Sequence, residues 1–362
     1  MARKKQVFSK PFNLVYENKY PDLLVGPGFF TEQNIATSSD PKTWVKQKPE
    51  DIERERAKQV FTFKSFKKTD ATKFDKNLSE IQLLSQSVDT TEIEVELEIK
   101  AKKINENYSG INNFSYGLEE LKIIDNIKIP QSIDKVVNDT DLKAKEGILR
   151  LNEKLEDVYK IEQILSMGLL GITKNRVLVP TRWAITSTDD IISKDLIENT
   201  LLDYGTIDKY EVFSFVFYQN IFYVLFVPRI WGFEQIEIQG EAICQDFEIN
   251  GPRKKYASSV TGGYYASRIE VAKYLSKRKR QASVIVFRDI SPSYHSKGVW
   301  VIRETVKEAL TKEPLVFETL DDATSFINQH IRNGIKFWLK YSELYKEIKT
   351  QKRITDFFML KE

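Results

Sequence analysis

Tyr210-Glu-Val-Phe-Ser-Phe-Val-Phe-Tyr-Gln-Asn-Ile-Phe-Tyr-Val-Leu-Phe-Val227 decides the fold class. These eighteen residues are mostly β-branched and aromatic, with a turn-like break at Tyr218-Gln-Asn220 and a stop at Pro228. Such residues favour strands, and the polar interruption is short enough for a hairpin turn centred on Gln-Asn, weaker in turn propensity than Asn-Gly. Trp231-Gly-Phe-Glu-Gln-Ile-Glu-Ile-Gln239 alternates and adds a further strand. The aromatic block therefore reads as the core of an antiparallel sheet.

Working outward, the same alternation recurs in Glu92-Ile-Glu-Val-Glu-Leu-Glu-Ile-Lys100, with its acids on a solvated face, and in Val60-Phe-Thr-Phe-Lys-Ser-Phe66. Leu23 to Val25 reads as a short buried strand that Gly26-Pro-Gly28 ends. Helical spacing of apolar residues predicts helices over 132–167, 264–277 and 320–349, with Asn138-Asp-Thr-Asp141 or Gly147 as a break in the first. Shorter helices are expected near Asp51–Gln59 and 303–311, and a small helix or turn over Ile81–Ser87. The expectation is an α+β fold, a mixed but mainly antiparallel sheet with packed helices and a flexible C-terminal tail. Its segments are 1–250, 251–348 and the tail 349–362.

The 362 residues are 41% hydrophobic and 30% charged, with 55 basic against 52 acidic side chains and a net charge of +3. This mild charge excludes a globally supercharged nucleic-acid binder but allows a local basic face. No apolar run of about 18 residues occurs, so neither a membrane helix nor a membrane partner is expected, and a cytoplasmic protein is. Cys244 is the single cysteine, which excludes an internal disulfide and a thiolate zinc cluster, and a small core residue is its simplest reading. His295 and His330 are the two histidines; His295, in a loop, is a catalytic candidate with no evident partner in the sequence, and His330 reads as structural.

Two polar constellations stand out. Val177-Leu-Val-Pro-Thr-Arg-Trp-Ala-Ile-Thr-Ser-Thr-Asp-Asp190 reads as a strand running into Thr-Arg-Trp, then Asp189 and Asp190 ahead of an Ile-rich helix over 191–202. Arg182 beside Trp183 offers either a charged, stackable surface or an internal pair with Asp189 or Asp190. The second constellation runs from Glu248 through Arg253, Lys254, Lys255, Gly262-Gly263, Tyr265 and Arg268. Paired glycines bring backbone close to a phosphate or to another chain, and the helix behind them would direct N–H groups at the same spot. The alternative is a tight turn packed by Tyr264 and Tyr265. It lacks the spacing of a Walker A loop or a dinucleotide fingerprint. Lys277-Arg-Lys-Arg280, the densest charge run, fits phosphate contact or an ordinary solvated turn.

The tail contains Gln351, Ile354, Phe357 and Phe358 in a Q-x-x-I-x-x-F-F pattern. Adjacent phenylalanines in a segment that ordinarily frays are explained by a pocket on a partner. The alternative is the end of a packed terminal helix. The pattern resembles, position by position, the PCNA-interacting peptide with which repair proteins dock on the sliding clamp.

Five blocks resemble the archaeal Nre DNA-repair family: Tyr20-Pro-Asp-Leu-Leu-Val-Gly-Pro27, Leu178 to Asp190, Gly262-Gly-Tyr-Tyr-Ala-Ser-Arg268, Arg280-Gln-Ala282 and Gly298-Val-Trp-Val-Ile-Arg-Glu304. The resemblance implies a DNA-damage-response protein docked on the clamp, with DNA and other repair proteins as further partners, held near the nucleoid through the clamp. It also implies two family regions dividing near residue 250. Some relatives carry an N-terminal cysteine cluster; the first 243 residues here contain no cysteine. The resemblance transfers no catalytic residue and no cofactor.

Three functions follow as expectations. The first is a clamp-tethered repair factor contacting DNA through its basic segments. The second is an enzyme acting on nucleic acid or a nucleotide, with Arg182, Asp189, Asp190, Glu248, Arg253, Tyr265, Arg268 and Glu304 in one pocket and a divalent metal as an option. The third is a non-enzymatic adaptor.

Overall fold

The computed structural model describes residues 4–9, 12–30, 40–87, 92–103 and 114–350. Helices and mixed sheets together make an α+β protein. The chain forms two compact units, Met1–Ile192 with Ser296–Gly298, and Ser193–His295 with Val299–Glu362. By compactness the division falls between Ile192 and Ser193, and residue 250 lies inside the second unit. The tail motif at 351–358 lies outside the described residues.

In the first unit the strands are β1 (Lys4–Ser9), β2 (Phe12–Lys19), β3 (Asp22–Phe30), β4 (Gln59–Lys67), β5 (Glu92–Lys103) and β6 (Phe114–Ile123). They form one sheet in the order β1-β5-β6-β4-β3-β2, in which β4 and β6 are parallel and the other pairs antiparallel. Gly26-Pro27-Gly28 does not end β3 as its turn chemistry predicts; the strand continues to Phe30. The β3–β4 register passes from Val25↔Lys64 to Gly28↔Phe61, skipping the two residues between them. A proline has no N–H to give a ladder, and here the ladder has a gap for it. Glycine is required beside it, because a Cβ at Gly26 would stand 1.8 Å from the Thr62 carbonyl oxygen.

The first unit's helices are α1 (Pro49–Arg56), α2 (Lys76–Gln86), α3 (Gln131–Val137), α4 (Ala144–Leu155) and α5 (Val158–Ser166), while α6 (Thr181–Asn199) contributes its residues up to Ile192 to this unit and the rest to the second. The long helix expected over 132–167 is three, broken at Asn138–Lys143 and again at Glu156–Asp157. Glu156 is left-handed at φ 49°, and the Asp157 carboxylate accepts from the Lys160 N–H to start α5. Asn77 ties α2 to the sheet: its amide donates to the Glu119 carbonyl (2.9 Å) and accepts from the Leu121 N–H (2.9 Å).

The second unit carries β7 (Tyr210–Phe217), β8 (Asn220–Val227), β9 (Gly232–Gln239), β10 (Ala242–Ile249), β11 (Ser283–Ile290) and β12 (Leu315–Phe317). Their order is β10-β9-β11-β8-β7-β12; β9 and β11 run parallel, the rest antiparallel. The hairpin turn is Tyr218-Gln219, one residue earlier than the Gln-Asn centre. Both residues have positive φ (50° and 60°), as a two-residue turn that follows strand twist requires. Asn220 opens β8, its amide donating to the Tyr218 carbonyl at 2.7 Å.

The near-continuous apolar run of β8 has a physical reason. Phe222, Val224 and Phe226 enter one core with residues of α7 (Gly262–Arg278) and α8 (Trp300–Ala309). Tyr223, Leu225 and Val227 enter a second core with α9 (Leu320–Asn328), α10 (Ile335–Leu339) and α11 (Glu343–Thr350). A sheet covered on both faces has no solvated face to alternate towards. Burying each such side chain contributes about 1.5–3 kcal/mol. The single terminal helix expected over 320–349 is thus three. Asn333 and Gly334, both at positive φ, make the first break, and buried Ser342 makes the second.

Candidate functional site

The second constellation converges in the second unit. β10 supplies Asp246 and Glu248, the following loop supplies Arg253, and the first turns of α7 supply Gly263, Tyr265 and Arg268. Arg268 is fully buried and donates from Nη1 to Glu248 Oε2 at 2.8 Å, and from Nε and Nη2 to Ser193 Oγ at 3.1 and 2.9 Å. Glu248 also accepts from the Arg253 N–H and the Trp231 indole, each at 2.9 Å. The Arg268 guanidinium stands 5.6 Å from the Tyr264 ring and 5.1 Å from the Tyr265 ring. Burial, with the Glu248 carboxylate beside it, holds the Tyr264 phenol well above the ordinary tyrosine range.

Arg253 folds its own loop. It donates to Asp246 at 2.9 Å and to the carbonyls of Lys255 and Tyr256, while Asp246 Oδ2 accepts from the N–H groups of Ser259 and Val260 at 2.9 and 2.7 Å. The Tyr265 hydroxyl accepts from the Ala257 N–H at 2.9 Å. Gly263 serves packing: a Cβ there would meet Ile302 of α8 at 2.6 Å. The groups that suggest a phosphate cradle are brought together, and they are spent on one another. A charge so deep is tolerable only when paired and hydrogen-bonded. Lys254 and Lys255 are exposed beside the network. Glu304 lies buried in α8.

The first constellation lies in the first unit. The strand expected to run into Thr-Arg-Trp is the first turn of α6, and Asp189 and Asp190 sit inside that helix, not ahead of it. Pro180 accounts for the helix start, since it accepts from the N–H groups of Trp183 and Ala184. Arg182 and Trp183 stand in the first unit, as do Asp189, which is buried, and Asp190, which is half-buried. Arg182 pairs with Glu17, and its guanidinium lies 5.8 Å from the Trp183 ring.

The basic run closes α7. Arg278 makes two bonds to Glu211, the longer 2.9 Å, and this carboxylate holds the guanidinium above its ordinary range. Lys279 is the left-handed cap, and Lys277, Lys279 and Arg280 are exposed. Cations at a helix C-terminus are favoured by its dipole. Cys244 is half-buried in β10 at the edge of the sheet. Among the described residues, no group of three or more His, Cys, Asp or Glu side chains could hold a metal ion, and no helix is long and apolar enough to cross a membrane.

Sequence reasoning missed Glu234. It is fully buried in β9 and accepts from the Ser342 hydroxyl, from Gln245 at 2.5 Å and from the Glu343 N–H at 2.8 Å, so it anchors the start of α11. Burial pushes its carboxyl up to about 7. Residue type gave no signal, because the same strand also carries Gln235, Glu237 and Gln239.

The chain is 32% identical over 336 residues to the DNA repair protein NreA of Archaeoglobus fulgidus, covering 90% of this chain and 85% of that protein. It is 38% identical over 232 residues to the DNA repair protein NreB of the same organism, covering 60% of this chain and 57% of that one. To the DNA repair protein NreA of Haloferax volcanii it is 33% identical over 222 residues, 58% of this chain and 53% of that protein. No solved structure matches. Residues 2–242 match the family described as Archaeal Nre, N-terminal, and residues 248–357 the one described as Archaeal Nre, C-terminal, so the chain belongs to the archaeal Nre family.

Proposed function

We propose that this chain acts in DNA repair as a factor tethered to the PCNA sliding clamp. One observation carries the reading: Gln351, Ile354, Phe357 and Phe358 follow α11 directly, in the spacing of a clamp-docking peptide. The helix before them is anchored at both ends. Glu234 holds its start, and Arg229 Nη1 donates to the Ile348 carbonyl at 2.9 Å near its end. A docking peptide carried behind an anchored helix brings the whole protein to DNA by effective concentration, without strong intrinsic DNA affinity. That agrees with a net charge of only +3. DNA contact is assigned to the exposed cations Lys277, Lys279 and Arg280 at the end of α7, with Lys254 and Lys255.

The names of the related proteins support repair as the setting. Phe357→Ala combined with Phe358→Ala removes the two largest apolar anchors. The expected result by titration calorimetry against the cognate clamp is loss of measurable binding with an unchanged circular dichroism spectrum. Wild-type affinity in the double variant sinks the reading.

A further inference from the structure

We infer that the first unit carries a stacking platform for an unpaired DNA base, formed by Tyr20 and Trp183 and flanked by Lys68 and Arg182. The rings come from two blocks far apart in the chain, the β2–β3 turn and the first turn of α6, and their centroids are 5.4 Å apart at an interplanar angle of 48°. Tyr20 is 50% exposed and Trp183 40% exposed. A single exposed aromatic residue needs no explanation, but two adjoining ones form a patch that does.

Each ring has a cation beside it. Lys68 Nζ is 5.0 Å from the Tyr20 centroid and donates to its hydroxyl at 3.0 Å; the Arg182 guanidinium is 5.8 Å from Trp183 while paired with Glu17. An aromatic face beside lysine and arginine is what a base and its phosphate require together, and stacking tolerates any base because every base has a π-face.

The platform is also held in place. The Lys68 N–H donates to the Pro21 carbonyl (3.1 Å), the Leu178 N–H to the Lys68 carbonyl (2.8 Å) and the Val15 N–H to Thr181 Oγ1 (2.9 Å). Hydrogen bonds from backbone N–H groups, two to carbonyls and one to the Thr181 hydroxyl, therefore join the turn bearing Tyr20, the segment bearing Lys68 and the start of the helix bearing Trp183. A surface ordered in advance loses less freedom on binding. A base that stacks here must offer a free face, which favours a single strand over duplex, since a paired base keeps both faces against its neighbours.

The inference rests on the repair reading only for the choice of DNA as the polymer. The test uses the full chain and fluorescein-labelled oligothymidylate of about 12 nucleotides, within the range of single-strand site sizes, beside a blunt duplex of equal length. Trp183→Ala and Tyr20→Ala are expected to weaken oligothymidylate binding about 5- to 150-fold, with duplex binding and melting temperature unchanged. Trp183→Phe keeps a stacking face and retains most of the affinity. Equal affinity in both alanine variants, an equal loss on duplex, or no single-strand binding by the wild-type chain overturns the platform, the last leaving the aromatic patch to a protein partner. Clamp titration on the same preparations reads the tethering separately, so either proposal can fail alone.

Discussion

Arg268 and Arg182 both lie against aromatic rings and both pair with a glutamate, yet they do opposite things. Arg268 sits in the second unit with no exposed surface and donates to Glu248 and Ser193. Arg182 sits in the first unit with its side chain 58% exposed. Water makes the difference. A buried guanidinium that loses its partner has nothing to replace it, whereas an exposed one is solvated either way. Arginine beside tyrosine or tryptophan is therefore not by itself a binding signature; burial decides whether it is a clamp within the fold or a surface open to a ligand.

The largest expected effect tests that contrast directly. Glu248→Leu should destabilise the second unit by about 3–5 kcal/mol, because it takes a buried carboxylate away from the Arg268 guanidinium, the Arg253 N–H and the Trp231 indole. Pairing it with Arg268→Met should recover part of the loss. Chemical denaturation reads both, and a double variant no more stable than Glu248→Leu would show that the pair is not the coupled unit.

A second test sets the units against each other through pH. Burial raises Glu234 in the second unit from 4.5 to about 7, so between those values the folded state holds a proton that the unfolded chain has released. Stability then falls as pH rises through that window. Burial lowers Lys160 in the first unit from 10.5 to about 8, with its ammonium donating to the Ser85 and Ser87 carbonyls. There the unfolded chain holds the extra proton, and stability rises from about pH 8 to 10.5. Each group contributes on the order of 3 kcal/mol across its window. Glu234→Gln should flatten the acidic slope and Lys160→Met the alkaline one, in denaturation midpoints followed against pH. Slopes that survive these changes belong to other groups.

The smallest effect completes the comparison. Arg182→Ala removes an exposed pair with Glu17 and should cost less than about 1 kcal/mol. A loss in melting experiments as large as that of Glu248→Leu would mean that Arg182 is structural after all.

Much of the fold was legible in particular stretches. The 210–227 hairpin, the alternating strand from Glu92 and the strand from Trp231 are local patterns, and all are strands. Longer readings failed where a break depends on a few backbone angles or on a distant carbonyl. Examples are Glu156, Asn333-Gly334, and Gly26 against Thr62. For the candidate site, the residues around Glu248 and Arg268 were found by type and spacing, but a list of charges does not say which are already satisfied. Glu234 was overlooked because its partners Ser342 and Glu343 are more than a hundred residues away.

By itself, the sequence determined the family, the α+β class, the 210–227 hairpin and the Q-x-x-I-x-x-F-F pattern. Each is carried by residue identity over a short span, where propensity and spacing act. Only the tertiary structure decided that β8 is covered on both faces, that Gly263 makes room for Ile302, that Arg268 is enclosed, and that Tyr20 and Trp183 meet in the open. Burial and partnership are properties of segments distant in the chain, and they exist only once the chain has folded.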